Sequence, residues 1–430
     1  MLAPTSHGGS GVYTRQDGAA VVTPADAVTE HLPAASARPV AGLPATVVSL
    51  ASTHFIVDAY TNIYTPLLPL LIPHFGLSLA AVGMLAMCFQ FASSMSQLVF
   101  GALADRWRPH VLLMAGPVLA VVVLSLVGLA PNPVALGALL VLGGLGGAAF
   151  HPPAAAAVYR AAGANKGFAM SVHITGGSIG MAMAPLFFAP TLERLGLHWS
   201  PIIAVPGLVA LWFLLRRVPP IVRPSYSGSE GLAGLRPYAR PITLLYFSVV
   251  LRTLTAAGFS VFLPVILTSQ GMSIAHASLA VTCYLLVSGI GGFSGGPLAD
   301  RFGPRRVILT SLISSVPFMM AASQLTGWWL TAAVSIGGLL LQSTLPVNVT
   351  YAQMIAPVGA ATVSSLMMGF AWGMGSVMVP MVGWMGDRVG LPTALLVISV
   401  MPLAAAILAA QLPERGDDSV APHPVPVEPS

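Results

Sequence analysis

"GALADRWRPH", residues 101–110, and "GPLADRFGPRR", residues 296–306, are two copies of one pattern at an offset of 195 residues. The same offset aligns further pairs: Pro69 with Pro264, Gly76 with Gly271, Cys88 with Cys283, Gly180 with Gly375, and Pro185 with Pro380. One coincidence carries little weight, but a nearly constant register over more than a hundred residues indicates an internal duplication. The chain is therefore predicted to consist of two related halves.

The composition places both halves in a membrane. The 430 residues are 56% hydrophobic and 7% charged, whereas about a quarter of the residues of a soluble domain are charged. Apolar stretches of about twenty residues recur, each long enough as a helix to cross a hydrocarbon core of about 30 Å. Lipid offers the backbone no hydrogen-bond partners, and the stretches lack the alternation of barrel strands. We predict an all-α polytopic membrane protein with twelve transmembrane helices.

The helices are predicted in two pseudo-symmetric six-helix bundles, at 46–73, 79–103, 110–129, 132–157, 167–190 and 199–215, then at 241–268, 276–298, 306–324, 328–352, 360–385 and 391–411. The predicted domains are a disordered cytoplasmic tail at 1–45, bundles at 46–215 and 241–411, a cytoplasmic linker at 216–240, and a second disordered tail at 412–430. Both tails and the linker are rich in Pro, Gly and polar residues.

The basic residues predict the orientation. The segments at one end of the predicted helices hold most arginines, among them Arg106, Arg160 and Arg301, while the opposite loops hold only Arg194 and Arg388. The positive-inside rule then places both termini in the cytoplasm. The Ala-rich, Lys-poor composition favours a bacterial inner membrane. No basic surface is left for a nucleic acid.

The repeated loop resembles the signature of the major facilitator superfamily, GxxxDRxGxRR, which lies between the second and third and between the eighth and ninth helices of that fold. The matching residues are Gly101, Asp105 and Arg106 in the first copy, and Gly296, Asp300, Arg301, Gly303, Arg305 and Arg306 in the second. The resemblance implies a conformational latch that breaks as the transporter opens inward. A plain loop-capping signal is the alternative.

A closer resemblance is to the fosmidomycin resistance protein family, carried by "H...D...N" before "PLLPLL", "LGGLGGAAFHPPA" at 142–154 and "GWMGDRVGL" near the end. It implies a twelve-helix efflux pump driven by inward proton flow. In the fifth helix, "GGSIGMAMAPL" resembles a degenerate GxxxGP motif of proton-coupled exporters, with Gly176, Gly177, Gly180 and Pro185 as its residues. Tight helix packing explains that motif equally well.

One acidic residue, Asp58, is predicted near the middle of a span. A charged group there costs at least about 2.5–3.5 kcal/mol, and intramembrane acids usually face water or a partner. His54 and Asn62 share its helix face at intervals of four residues. Arg252, in the seventh helix, is the complementary charge. We hypothesise that Asp58 carries the coupling proton, which His54 relays, and that Arg252 approaches Asp58 until an anionic or polar substrate engages Arg252. The alternatives are a static buried Asp58–Arg252 salt bridge and a purely structural role for His54.

Other polar residues within spans are candidates for the substrate cavity. They are Asn62, Arg252, His173, His151 and Gln90. His151, which precedes two prolines, and His173 each have a structural alternative. The sequence contains neither HExxH nor GxSxG and shows no convergent set of His and acid residues. We therefore expect no enzyme activity, no metal and no cofactor.

The predicted function is secondary active transport by a monomer, with a small molecule and protons as its partners and the lipid bilayer as its environment. Export by proton antiport of a drug-like or anionic metabolite, such as a fosmidomycin-like phosphonate, is favoured. A proton-coupled symporter that imports a small organic solute is the alternative, because only the fifth-helix motif separates the two.

Overall fold

A computed structural model describes residues 43–106, 108–163, 166–220, 236–356, 363 and 366–413. The first half contains α1 (Ala45–Thr61), α2 (Tyr64–Phe75), α3 (Leu79–Arg106), α4 (Pro109–Ser125), α5 (Pro133–Ala161), α6 (Lys166–Leu195) and α7 (Ala204–Leu215). The second half contains α8 (Ala239–Ser269), α9 (Ile274–Phe302), α10 (Pro304–Gln324), α11 (Gly327–Ile355), α12 (Ala371–Val377), α13 (Val379–Val389), α14 (Leu391–Ser399) and α15 (Met401–Ala409).

These helices make twelve spans, as the sequence predicted. Among the described residues, eleven stretches are long and apolar enough to cross a membrane, with α1–α2 and α14–α15 each counting as one. The eleventh span is built from a π-helical turn, Leu366–Phe370, followed by α12 and α13. Its predicted start at residue 360 lies outside the described residues. So do residues 1–42, 221–235 and 414–430, on which the predicted tails and most of the linker fall.

The first span is not the continuous helix that the sequence suggested. It breaks between α1 and α2 at Asn62 and Ile63. Pro66 lacks the backbone N–H that would donate to the Asn62 carbonyl, so one i→i−4 hydrogen bond of the helix is missing at this point. The break lies one turn beyond Asp58.

Short glycine contacts bring α1 and α6 together within the first half. A Cβ built on Gly176 would lie 2.4 Å from the Ala51 carbonyl oxygen, and one on Gly180 would lie 2.0 Å from that of Phe55. Both glycines therefore allow a backbone approach that a side chain would prevent. This supports the packing interpretation of the fifth-helix motif at these two positions.

The two halves meet at the end of the molecule where α3 begins. The backbone N–H groups of Leu79 and Ala80 donate to the two carboxylate oxygens of Asp387, on α13, at 2.7 and 2.9 Å. The carboxylate thus caps the positive end of a helix in the other half. Beside it, a Cβ on Gly383 would lie 2.1 Å from the Leu79 carbonyl oxygen, so the backbones pack directly. Deeper in the bundle, Thr282 Oγ1 donates to the Ala182 carbonyl at 2.7 Å.

Candidate functional site

Three side chains from two helices of the first half converge on one carboxylate. His54 and Asp58 lie one turn apart on α1, and His54 Nε2 is 3.2 Å from Asp58 Oδ2. His151, on α5, places Nε2 3.6 Å from Asp58 Oδ1. The three side chains retain exposed fractions of 12%, 14% and 22%, in the order His54, Asp58, His151. We call this set the His–Asp cluster; it is buried in the bundle but remains in contact with solvent-accessible space.

His173, on α6, contacts His54 of the cluster. His54 Nδ1 lies 2.8 Å from the His173 carbonyl oxygen, and the two imidazole rings lie 4.3 Å apart between centroids. Only 2% of His173 is exposed. It therefore orients His54 through its backbone and its ring.

The hydrogen bond to His173 fixes the protonation of His54. A carbonyl oxygen can only accept, so Nδ1 must carry a hydrogen. In neutral His54 the other nitrogen, Nε2, then presents a lone pair to the oxygens of Asp58. Two acceptors at 3.2 Å repel each other unless a proton or another cation lies between them. The geometry thus favours a proton or another cation at the His54–Asp58 contact.

Gly177 leaves the room that this contact needs. A Cβ built on this α6 residue would lie 2.5 Å from both Asp58 Oδ2 and His54 Nε2. Any side chain at this position would push into the space shared by the two groups. The glycine of the fifth-helix motif is thus part of the site.

The cluster corrects one expectation and leaves another without support. A convergent His and acid set was not found in the sequence, yet the fold assembles one, because helix packing joins residues 54 and 151, nearly a hundred positions apart. The approach of Arg252 to Asp58 is not seen: both ion pairs in the described part of the chain join Asp58 to a histidine. The static Asp58–Arg252 salt bridge is likewise absent from the described ion pairs.

Arg252 has a different environment, within the second half. Only 1% of it is exposed. Its Nε donates to the Leu341 carbonyl at 3.0 Å and its Nη2 donates to Gln342 Oε1, both on α11. Its guanidinium carbon lies 5.9 Å from the Trp372 ring centroid. Arg252 Nη1 has no hydrogen-bond partner among the described residues, so one strong donor remains available.

The remaining cavity candidates make helix contacts. Asn62 Nδ2 donates to the Met181 carbonyl at 3.0 Å, which ties the break in the first span to α6. Gln90 Nε2 donates to Ser94 Oγ at 2.6 Å within α3. Only the Asn62 bond joins two helical segments. Both amides are partly buried, which leaves surface for further hydrogen bonds.

The predicted latch is only partly described, since the side chains of Asp105 and Arg106 lie outside the described set. In the second copy, Arg305 donates to the Ala410 carbonyl of its own half, and Gly303 adopts φ +87° where α9 turns into α10. Asp300, Arg301 and Arg306 are exposed. A Cβ on Gly101 or Gly296 would meet no atom closer than 3.8 Å, so packing does not require glycine at either position.

The sequence analysis did not predict the role of Asp387, which joins the two halves through its contacts with Leu79 and Ala80. A signal was present: "LERLG" at 192–196 and "GDRVG" at 386–390 match at an offset of 194, as further partial copies of the loop pattern. The Asp387 carboxylate caps α3 at the end opposite to the predicted latch.

Comparisons with known proteins agree with this architecture. The family model described as Major Facilitator Superfamily matches residues 50–244 and 245–428, one match for each half. The fold is similar to that of the crystal structure of a bacterial homolog of the human lysosomal transporter Spinster in an inward-facing and occupied conformation. That similarity has a TM-score of 0.73 at 18% identity and covers 85% of this chain and 95% of that one.

Curated relatives extend over most of the chain. An uncharacterized MFS-type transporter of Bacillus subtilis, YfnC, is 29% identical, covering 92% of this chain and 97% of the relative. The fosmidomycin resistance protein of Escherichia coli is 27% identical, covering 83% of this chain and 89% of the relative. The resemblance predicted from the short motifs is thereby confirmed.

Proposed function

The chain belongs to the Major Facilitator Superfamily, and from that premise we propose that it exports a small drug-like or anionic molecule by proton antiport. It is a multi-pass membrane transporter, and members of the superfamily carry small-molecule substrates. The proposed cargo includes fosmidomycin-like phosphonates, because a fosmidomycin resistance protein is among its relatives. The proposed setting is a bacterial inner membrane, with cytoplasmic termini and a monomeric chain.

The observation that carries the proposal is the contact between His54 Nε2 and Asp58 Oδ2. Its geometry needs an ion between the two groups, and at mid-span the proton is the smallest ion able to neutralise the carboxylate. His151, on the other oxygen of Asp58, offers a second position for that proton. A proton held there can leave when the opposite side of the membrane gains access.

Substrate is proposed to bind in the second half, at Arg252. The unused Nη1 donor and the Gln342 amide suit a phosphonate or carboxylate, which guanidinium groups bind in a forked geometry. Substrate and proton then occupy different halves of the molecule. Movement of the halves about the α3 contact couples the two by alternating access, and the residues of the loop signature are proposed to latch the end opposite to Asp387.

Transport in proteoliposomes that contain the full chain tests direction and coupling together. With an acidic lumen, an antiporter takes up labelled fosmidomycin as protons leave; one pH unit supports roughly tenfold accumulation if one proton is exchanged. A symporter accumulates substrate only when the external medium is acidic. Uptake driven by an acidic medium would establish import, the alternative prediction.

Asp58→Asn tests the proton site in the same vesicles. The variant keeps the shape of the side chain and removes its charge, so substrate is expected to equilibrate without accumulating. Glu193→Gln, the same change at an exposed position near the end of α6, should accumulate substrate like the parent protein. Full accumulation by Asp58→Asn would show that the proton is carried elsewhere.

A further inference from the structure

The His–Asp cluster also has the donor set of a transition-metal site. Within the described residues, His54, Asp58 and His151 each offer one ligand atom, and these atoms all lie within 4.8 Å of one another. Metal bonds of about 2.0–2.2 Å at tetrahedral angles place neighbouring ligand atoms roughly 3.3–3.6 Å apart. The contacts of His54 Nε2 with Asp58 Oδ2 and of His151 Nε2 with Asp58 Oδ1, at 3.2 and 3.6 Å, are close to that spacing, each on its own carboxylate oxygen. Binding of one ion would draw these ligand atoms closer together.

The hydrogen bond behind His54 prepares it as a ligand. Imidazoles that bind metal commonly donate their other N–H to a carbonyl or a carboxylate, which fixes the tautomer and the ring orientation. His54 Nδ1 makes such a bond with the His173 carbonyl at 2.8 Å. Nε2 is therefore left with a lone pair directed at the centre of the cluster.

The donor types select the class of cation. Two imidazole nitrogens and one carboxylate oxygen suit Zn²⁺, Co²⁺ or Ni²⁺, whereas Mg²⁺ and Ca²⁺ prefer all-oxygen sites. Three protein ligands leave at least one coordination position open, and the accessible surface of His151, 22% of its side chain, can admit water there. Gly177 keeps the volume between His54 and Asp58 free.

We propose that His54, Asp58 and His151 bind one divalent cation of the zinc class, in place of the proton at the same lone pairs. Bound metal would tie both helices to one carboxylate and exclude the exchangeable proton. Metal bound at this site would therefore inhibit a transport cycle that depends on proton release. Metal binding itself does not require the proposed transport and is measured without it.

Metal binding to the purified full chain, with any affinity tag removed, tests this inference. After equilibrium dialysis against Zn²⁺, the parent protein should hold one ion per chain by elemental analysis. Co²⁺ should give the visible absorption of a site with mixed nitrogen and oxygen ligands. Asp58→Asn and His151→Gln should each weaken binding by about tenfold or more, because each removes one of three ligands.

His198→Gln provides the matched control, because His198 is exposed in the turn after α6 and does not belong to the cluster. It should bind Zn²⁺ like the parent protein, and all variants should elute as the same monodisperse species in gel filtration. Equal affinity in the parent, Asp58→Asn and His151→Gln would overturn the inference, as would the absence of bound metal. Either result leaves the proton-transport experiments unaffected, so the two proposals fail separately.

Discussion

The two halves have one architecture and different chemistry at the same depth. At the offset of 195, His54 corresponds to Val249 and Asp58 to Thr253, so the second half has no counterpart of the His54–Asp58 contact. Thr253 is buried, and its hydroxyl has no hydrogen-bond partner among the described residues. Arg252, conversely, corresponds to Val57. Duplication thus explains the scaffold, while each copy carries its own ionisable group.

This difference suggests that the two halves bind different ions. The first half holds a carboxylate among imidazoles, a set that suits protons and metal cations. The second half holds a buried guanidinium whose Nη1 has no hydrogen-bond partner among the described residues, a group that suits anions. A substitution in the first half should therefore leave anion binding by the second half measurable, and a substitution in the second half should leave cation binding by the first half measurable.

Among the substitutions that separate the two halves, replacement of Arg252 should have the largest effect on transport. Arg252→Gln removes the charge that is proposed to bind substrate, and a hydrogen bond to a charged group contributes about 1.5–3 kcal/mol. The KM for fosmidomycin in proteoliposomes should rise roughly ten- to a hundredfold, while the pH gradient still drives accumulation at high substrate concentration.

Arg388→Gln is the control for this change, because Arg388 is exposed and stacks on Trp384, 4.1 Å from its ring centroid. Its KM should match that of the parent protein. An unchanged KM in Arg252→Gln would contradict the proposal that substrate binds at Arg252 in the second half.

Adding a methyl group at Gly177 should have an intermediate effect, confined to the first half. In Gly177→Ala the new Cβ would meet Asp58 Oδ2 and His54 Nε2 at 2.5 Å, so the pair must separate or α6 must shift. Overpacking of this kind costs about 1–3 kcal/mol. Accumulation driven by the pH gradient should fall several-fold with little change in KM.

Gly289→Ala is the matched control, because a Cβ at this α9 position meets no atom within 4 Å. It should transport like the parent protein. If Gly177→Ala did the same, the His54–Asp58 contact would not be the coupling site.

The smallest effect is expected at the contact between the halves. Asp387→Asn weakens the cap on α3, a change of about 1 kcal/mol at an exposed helix end. Amide hydrogen exchange at Leu79 and Ala80, followed by mass spectrometry, should speed up several-fold. Glu193→Gln, at the matching position of the first half, should leave exchange at the start of α9 unchanged, since Ser273 caps that helix. Equal exchange in Asp387→Asn and the parent protein would contradict the capping role.

Much of the fold follows from the sequence because hydrophobic length and repetition are local signals. Twelve apolar stretches and a nearly constant offset predict twelve spans and two halves. Apolar content does not reveal the break at Asn62, which only Pro66 signals. The ends of some helices also differ from the predicted ends. For example, α6 extends to Leu195, whereas its predicted span ended at residue 190.

The candidate site was predictable in part. The four-residue spacing of His54 and Asp58 placed both on one helix face, and their contact follows from helix geometry. The positions of His151 and His173 depend on how α5 and α6 pack against α1, which no local pattern encodes. The pairing of Asp58 with Arg252 was inferred from their opposite charges and from the expected position of the first and seventh helices on opposite sides of a central cavity. In the structure Asp58 contacts His54 and His151, and Arg252 donates to Leu341 and Gln342.

The proposed transport depends on one exchangeable ion at the contact between His54 and Asp58, a proton in the absence of metal. Infrared difference spectroscopy of the purified, metal-free protein during a pH change observes that proton directly. We expect a carboxyl band that changes with pH in the parent protein and in Glu193→Gln and that is lost from the difference spectrum of Asp58→Asn, while the bands of the other acidic groups remain. Identical difference spectra for the parent protein and Asp58→Asn would contradict this expectation.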